Sequence, residues 1–213
     1  GRIDMGALEF LTAPPQGLVV STTSDLVDGD FSVGQFSLRE AIIVANNTAG
    51  ADTITFDSSV FTGVGSASVI RLSGTELLVD ETLTIDGSAG IGVVITADST
   101  NNDTLVSGTF ITDVAASLAA DSTSLDDNSR VMNFTATSGD LTLNRVTITG
   151  GRTTGVSARG GGIKTGTGGV KLTSSTISGN STSGSSASGG GIYTSSGPLT
   201  LTGSTISGNS SNR

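Results

Sequence analysis

Leu141-Thr-Leu-Asn-Arg-Val-Thr-Ile-Thr-Gly150, Val170-Lys-Leu-Thr-Ser-Ser-Thr-Ile-Ser-Gly179 and Leu199-Thr-Leu-Thr-Gly-Ser-Thr-Ile-Ser-Gly208 are one pattern written three times, each copy 29 residues after the last. The same offset links Leu143, Leu172 and Leu201, links Ile148, Ile177 and Ile206, and carries Gly160-Gly-Gly-Ile163 onto Gly189-Gly-Gly-Ile192. Self-similarity at a fixed period of this size is the mark of stacked structural units.

Within a unit, apolar residues alternate with Thr or Ser, so each piece reads as a short strand with one buried face, and the helical period is absent. The pieces are the Leu-Thr-Leu segment, the Thr-Ile-Ser segment and the Gly-Ile-Tyr or Gly-Ile-Lys segment, which predicts three short strands per unit. Stacking such units sets Leu143, Leu172 and Leu201 in one column, about 4.8 Å per step, through parallel in-register pairing. A buried Leu or Ile is worth about 1.5–3 kcal/mol, which a lone unit with two open faces cannot collect and a stack can. The pattern therefore predicts an all-β parallel β-helix, a solenoid. Asn180 and Asn209 hold equivalent places after Ile-Ser-Gly. They fit a stacked amide ladder or two exposed turn asparagines, and with Gly151 at that place one unit earlier a ladder is short.

Composition agrees with β structure. Gly supplies 31 of 213 residues, Pro 3, and Cys, His and Trp none. Small residues at this density suit tight turns and strand surfaces, and the fixed spacing of the apolar residues argues against disorder. With no Cys and no His, disulfides, thiolate or imidazole metal sites and a Ser-His-Asp triad are all excluded. The net charge is −9 and the only lysines are Lys164 and Lys171, which makes nucleic acid and anionic membrane poor partners. No apolar run is long enough for a transmembrane helix, and Gly1 to Phe10 lacks the regions of a signal peptide, as expected of a processed or internal piece.

The N-terminal part reads as a cap. Residues 17–56 hold a strand, Leu18-Val-Val-Ser-Thr-Thr23, an acidic turn, one helix and the strand Thr53-Ile-Thr-Phe56. Ser37 and Glu40 form the Ser-x-x-Glu capping box, Leu38, Ala41, Ile42 and Ala45 give the apolar stripe, and Asn46, Asn47 and Gly50 end the helix. Laid over the open end of a β-helix, Ser37 to Asn47 would cover both its core and its strand edges. Residues 1–16 read as the tail of a preceding unit and a linker, 17–213 as the β-helix proper, with coils over 57–213. Early coils are supplied by Val69 to Leu72, Leu77 to Val79, Leu83 to Gly87 and Val93 to Thr96, and an excursion over 97–128 breaks the rhythm.

Ser37-Leu-Arg-Glu-Ala-Ile42, Ile85-Asp-Gly87, Arg130-Val-Met-Asn133, Thr147-Ile-Thr-Gly-Gly151 and Gly-Gly-Gly-Ile together resemble large bacterial surface proteins of the pectate-lyase-like β-helix superfamily. The Gly-Gly-Gly-Ile and Ile-Ser-Gly-Asn repeats are similar to those of polymorphic outer membrane proteins. The resemblance spans residues 18–213 and implies a right-handed parallel β-helix at the cell surface or outside the cell. It also makes Gly1 to Phe10 the closing segment of a preceding unit and Pro14-Pro15 a stiff junction; and because Leu199 to Arg213 starts a further coil, the parent protein is expected to continue there or another copy to stack there. It implies an architecture and no activity.

Chemistry is sparse. Lyases and glycosidases on β-helices need paired carboxylates, or acids holding Ca²⁺ beside a base, and after Asp140 the chain has no acid at all. Arg145, Arg152, Arg159, Lys164 and Lys171 lack sequence partners there, so no catalytic groove is expected on those coils. Asp25, Asp28 and Asp30 with Gly29 have the alternating oxygens and sharp turn that a Ca²⁺ loop uses, but no distal bidentate Glu, and a solvated turn before the helix explains them without a metal. Asp98 to Asp103 and Asp126 to Asn128 are weaker cases. We therefore expect no catalytic, cofactor or metal residues, with Ca²⁺ the one ion to test. The expected role is an extracellular structural or adhesive module, with copies of itself, adjacent units or surface glycans as partners. The alternatives are a carbohydrate-active enzyme using 97–128 as a groove wall, and an ice-binding array of Thr147 and Thr149 over Thr176, Ser178, Thr205 and Ser207.

Overall fold

The computed structural model describes residues 17–63, 68–89, 92–98 and 129–212. The expected N-terminal tail and most of the excursion, residues 99–128, lie outside the described residues. The fold is all-β with parallel sheets and a single α-helix among the described residues.

Four parallel sheets carry the chain. The first holds β1 (Leu18–Val20), β2 (Asp52–Phe56), β5 (Leu83–Asp86), β8 (Asp140–Asn144), β12 (Gly169–Thr173) and β16 (Leu199–Thr202). The second holds β3 (Val69–Arg71), β6 (Val93–Thr96), β9 (Val146–Thr149), β13 (Thr176–Ser178) and β17 (Thr205–Ser207). The third holds β4 (Leu77–Val79), β7 (Met132–Phe134), β11 (Ile163–Thr165) and β15 (Ile192–Thr194). A fourth, of β10 (Arg152–Thr154), β14 (Ser181–Ser183) and β18 (Ser210–Asn212), joins in the last three units. In every sheet the strands follow chain order.

Register follows the period. Leu172 lies opposite Leu143 on one side and Leu201 on the other, and Ile177 opposite Ile148 and Ile206. Upstream the columns continue through Ile85 beside Leu143 and Ile95 beside Ile148, although the sequence spacing there is irregular. These side chains are fully buried until the last unit, where Leu201 is 44 % and Ile206 41 % exposed.

The expected three strands per unit are four in the repeats. Arg152-Thr-Thr, Ser181-Thr-Ser and Ser210-Ser-Asn have no apolar residue to alternate, so no strand pattern marks them. In-register pairing orders them instead, with Thr182 fully buried and its hydroxyl bonded to that of Ser211 at 3.1 Å. The outward reading of Thr149 and Ser178 is also corrected. They are only 3 % and 7 % exposed, because each ends its strand at a corner, where Gly150 and Gly179 (φ +66° and +64°) bend the chain into the fourth sheet. No flat hydroxyl array of six members faces solvent.

Helix α1 (Leu38–Asn46) starts at Ser37 with the full capping box and buries Leu38, Ala41, Ile42 and Ala45 against the first strands. Strand β1 is shorter than expected because Ser21 turns to hold the cap: its N–H donates to Phe36 O (2.9 Å), and its hydroxyl accepts from Gly34 N–H (3.0 Å) and Phe36 N–H (3.2 Å). Edge-to-face pairs Phe31–Phe36 and Phe56–Phe61, centroids 5.0 and 4.9 Å apart, fill this end of the core.

A Leu covered on both sides should matter more than the same residue on the last strand. Leu172→Ala is expected to cost about 2–5 kcal/mol and Leu201→Ala less than half as much, measured by denaturant unfolding. Equal losses would contradict the stacking order.

Candidate functional site

The Ser37-Leu-Arg-Glu segment proves to be a structural clasp. The Glu40 carboxylate, 2 % exposed, accepts N–H groups from Asp28 (3.1 Å), Gly29 (2.9 Å) and Ser37 (3.0 Å), and the Ser37 hydroxyl at 3.0 Å. Arg39 pairs with Asp25 at 2.8 Å and donates to the carbonyls of Thr75 and Glu76, while Asp25 also accepts from Ser73 N–H and Oγ. The cap is thereby tied to the loop 73–76.

The acidic turn is held by this clasp and by its own backbone. Asp25 is buried against Arg39, whereas Asp28 accepts from Asp30 N–H and Asp30 from Ser32 N–H, each at 2.9 Å. The Ser32 backbone N–H, and secondarily its hydroxyl, holds the Asp30 carboxyl below the usual carboxylate range. The three carboxylates do not converge, and among the described residues no three metal-ligating side chains gather. Asp98 pairs instead with Arg71 at 3.2 Å. Asn101 to Asp103 and Asp126 to Asn128 lie outside the described residues.

The asparagines form the ladder. Asn180 is fully buried; its Oδ1 accepts from Gly151 N–H (2.9 Å), and its Nδ2 donates to Asn209 Oδ1 and to the carbonyls of Ile148 and Ser178, each at 3.0 Å. Asn209 Oδ1 accepts from Asn180 N–H at 3.0 Å as Asn180 Oδ1 does from Gly151, one unit earlier. The ladder ends at Gly151 because a Cβ there would lie 2.0 Å from Gly161 O. The Gly-Gly-Gly motif supplies the room: a Cβ on Gly162 would fall 3.0 Å from the Asn180 amide carbon, and one on Gly191 2.7 Å from that of Asn209.

Two surfaces remain for function. One is the open edge formed by β16, β17 and β18, which pair on one side only and leave Leu199, Leu201 and Ile206 exposed. The other is a groove of about 600 Å³ on the unit where no catalytic groove was expected, which gathers Arg130, Arg152, Arg159 and Lys164. Lys171 is not part of it and pairs with Asp140 at 2.6 Å. The groove escaped the sequence reading because Arg130 lies 34 residues from Lys164, and only the wrap of the chain brings them together.

Among the described residues no helix is long and apolar enough to cross a membrane. In comparisons with known proteins the chain matches no family model, no curated protein and no solved structure.

Glu40→Ala leaves three backbone N–H groups without an acceptor and is expected to cost more than about 2 kcal/mol in denaturant unfolding, as is Asn180→Ala. A loss under about 0.5 kcal/mol at either site would contradict these roles.

Proposed function

We propose that the chain is a right-handed parallel β-helix of the pectate-lyase-like kind, acting as an extracellular structural or adhesive module of a larger repetitive surface protein. The observation that carries this reading is the in-register parallel pairing of like residues 29 apart, Leu143 with Leu172 and Leu201, and Ile148 with Ile177 and Ile206. A strand of the same geometry can pair with a member of such a stack in the same way, so length can grow without a new fold. The partner is another unit of this kind, in a second copy or an adjacent part of the same protein.

Charge supports a head-to-tail arrangement. Among the described residues, those up to 140 carry twelve Asp and Glu against three Arg, whereas those from 141 to 212 carry five Lys and Arg and no acid. Because strands follow chain order in every sheet, this split runs along the stack, acidic at the capped side and basic at the open side. A glycosidase or lyase reading gains nothing from the groove, whose described lining contains cations and hydroxyls but no carboxylate.

Sedimentation velocity over a wide concentration range tests the proposal. The average mass is expected to rise with concentration, to fall back at high salt, and to rise less for Leu201→Lys. A strict monomer at the highest concentration would count against stacking.

A further inference from the structure

The unit that holds the groove differs from the next one in charge and not in fold. Arg152 pairs in register with Ser181, Arg159 with Ser188, and Lys164 with Tyr193. The backbone thus adopts the same course with a neutral residue at each position, and stacking does not require these cations. Arg152, Arg159 and Lys164 have no carboxylate partner among the described residues; Arg130 alone is paired, with Glu76. The Arg159 guanidinium lies 4.8 Å over the Tyr193 ring, which orients it without neutralising it.

The groove also contains buried donors with nothing to bond. Among the described residues Arg152 Nε and Thr153 Oγ1, both shielded from solvent, lack a hydrogen-bond partner. An unmet buried donor costs about 1–3 kcal/mol, and native structures keep few of them without a purpose. Here they lie beside two further uncompensated cations, whose mutual repulsion an anion would relieve.

We propose that this groove binds an oligosaccharide through sulfate or phosphate ester groups. Donors reach it from several directions: β10, the turn at Ser157 to Arg159, Lys164 on β11, and Arg130. A tetrahedral oxyanion offers acceptor oxygens to such a set, whereas a carboxylate satisfies one planar Arg fork. Hydroxyls of Ser129, Thr154 and Ser157 complete a lining suited to sugar hydroxyls, in a volume that takes a few rings. Four cations in one groove are too few for the phosphate track of a nucleic acid on a chain of net charge −9. The choice of a glycan rests on the extracellular adhesive reading, whereas the anion site rests on the groove itself.

The repeat supplies its own control variant. Arg152→Ser, Arg159→Ser and Lys164→Tyr together install the residues that the next unit carries in the same register, so the fold is expected to survive, as circular dichroism and thermal unfolding would show. Calorimetric titration of the full chain with a sulfated tetrasaccharide is expected to give saturable binding that weakens with added salt. The triple variant is expected to bind at least about tenfold more weakly. No binding, or equal binding by the variant, would overturn the site. Inorganic sulfate binding as tightly as the saccharide would overturn the glycan assignment, and an unsulfated uronate tetrasaccharide binding as tightly would overturn the ester assignment. A phosphorylated saccharide run in parallel separates the two ester sources, and either one binding upholds the proposal. Stacking is read separately, by sedimentation of Leu201→Lys, which keeps every groove cation and is expected to bind the saccharide as the parent chain does, so failure of the groove and failure of the stacking proposal are separable.

Discussion

Each strand in the repeats satisfies its backbone by pairing, in parallel and in register, with the segment 29 residues further along, and most of the rest of the structure follows from that. Because the partner is the same element one unit on, like side chains fall over one another. Leu meets Leu and Ile meets Ile, and a polar position inside the stack must be answered by a polar position above it. Asn180 over Asn209 meets that demand with an amide ladder, and Thr182 over Ser211 with a hydroxyl pair. Beside the first strands the helix Leu38–Asn46 lays its apolar face on the core, clasped there by Arg39 and Glu40.

The columns and the helix were legible in the sequence for related physical reasons. Burial on one face forces alternation, and alternation repeated at a fixed offset is visible without coordinates. Capping chemistry is equally local, since Ser37 and Glu40 are three residues apart. What escaped was held by backbone or by wrapping. The fourth sheet has no apolar alternation to show. Arg145, Ser174 and Gly203 look unrelated yet occupy one turn, at φ +52°, +48° and +58°. Gly-Gly-Gly could be read as a motif, but its purpose, making room for the Asn amides, depends on residues 18 positions later. The cationic groove needed Arg130 and Lys164 to meet across the fold.

Division of labour follows from this geometry. The inward face of each unit is fixed by its neighbours, so it changes little from one repeat to the next, while outward positions are free. Arg152, Arg159 and Lys164 opposite Ser181, Ser188 and Tyr193 illustrate that freedom. A stack with variable outward residues suits the proposed surface module, because recognition can change without loss of the core. The proposed extracellular role and the proposed glycan site are two uses of this one property.

The central claim is the vertical placement of residues 29 apart, and cross-strand nuclear Overhauser contacts test it most directly. Backbone contacts between Lys171 and Thr200, Lys164 and Tyr193, and Ile177 and Ile206 are predicted, as expected for parallel strands about 4.8 Å apart. Absence of all three, or a consistent set at another offset, would contradict the account.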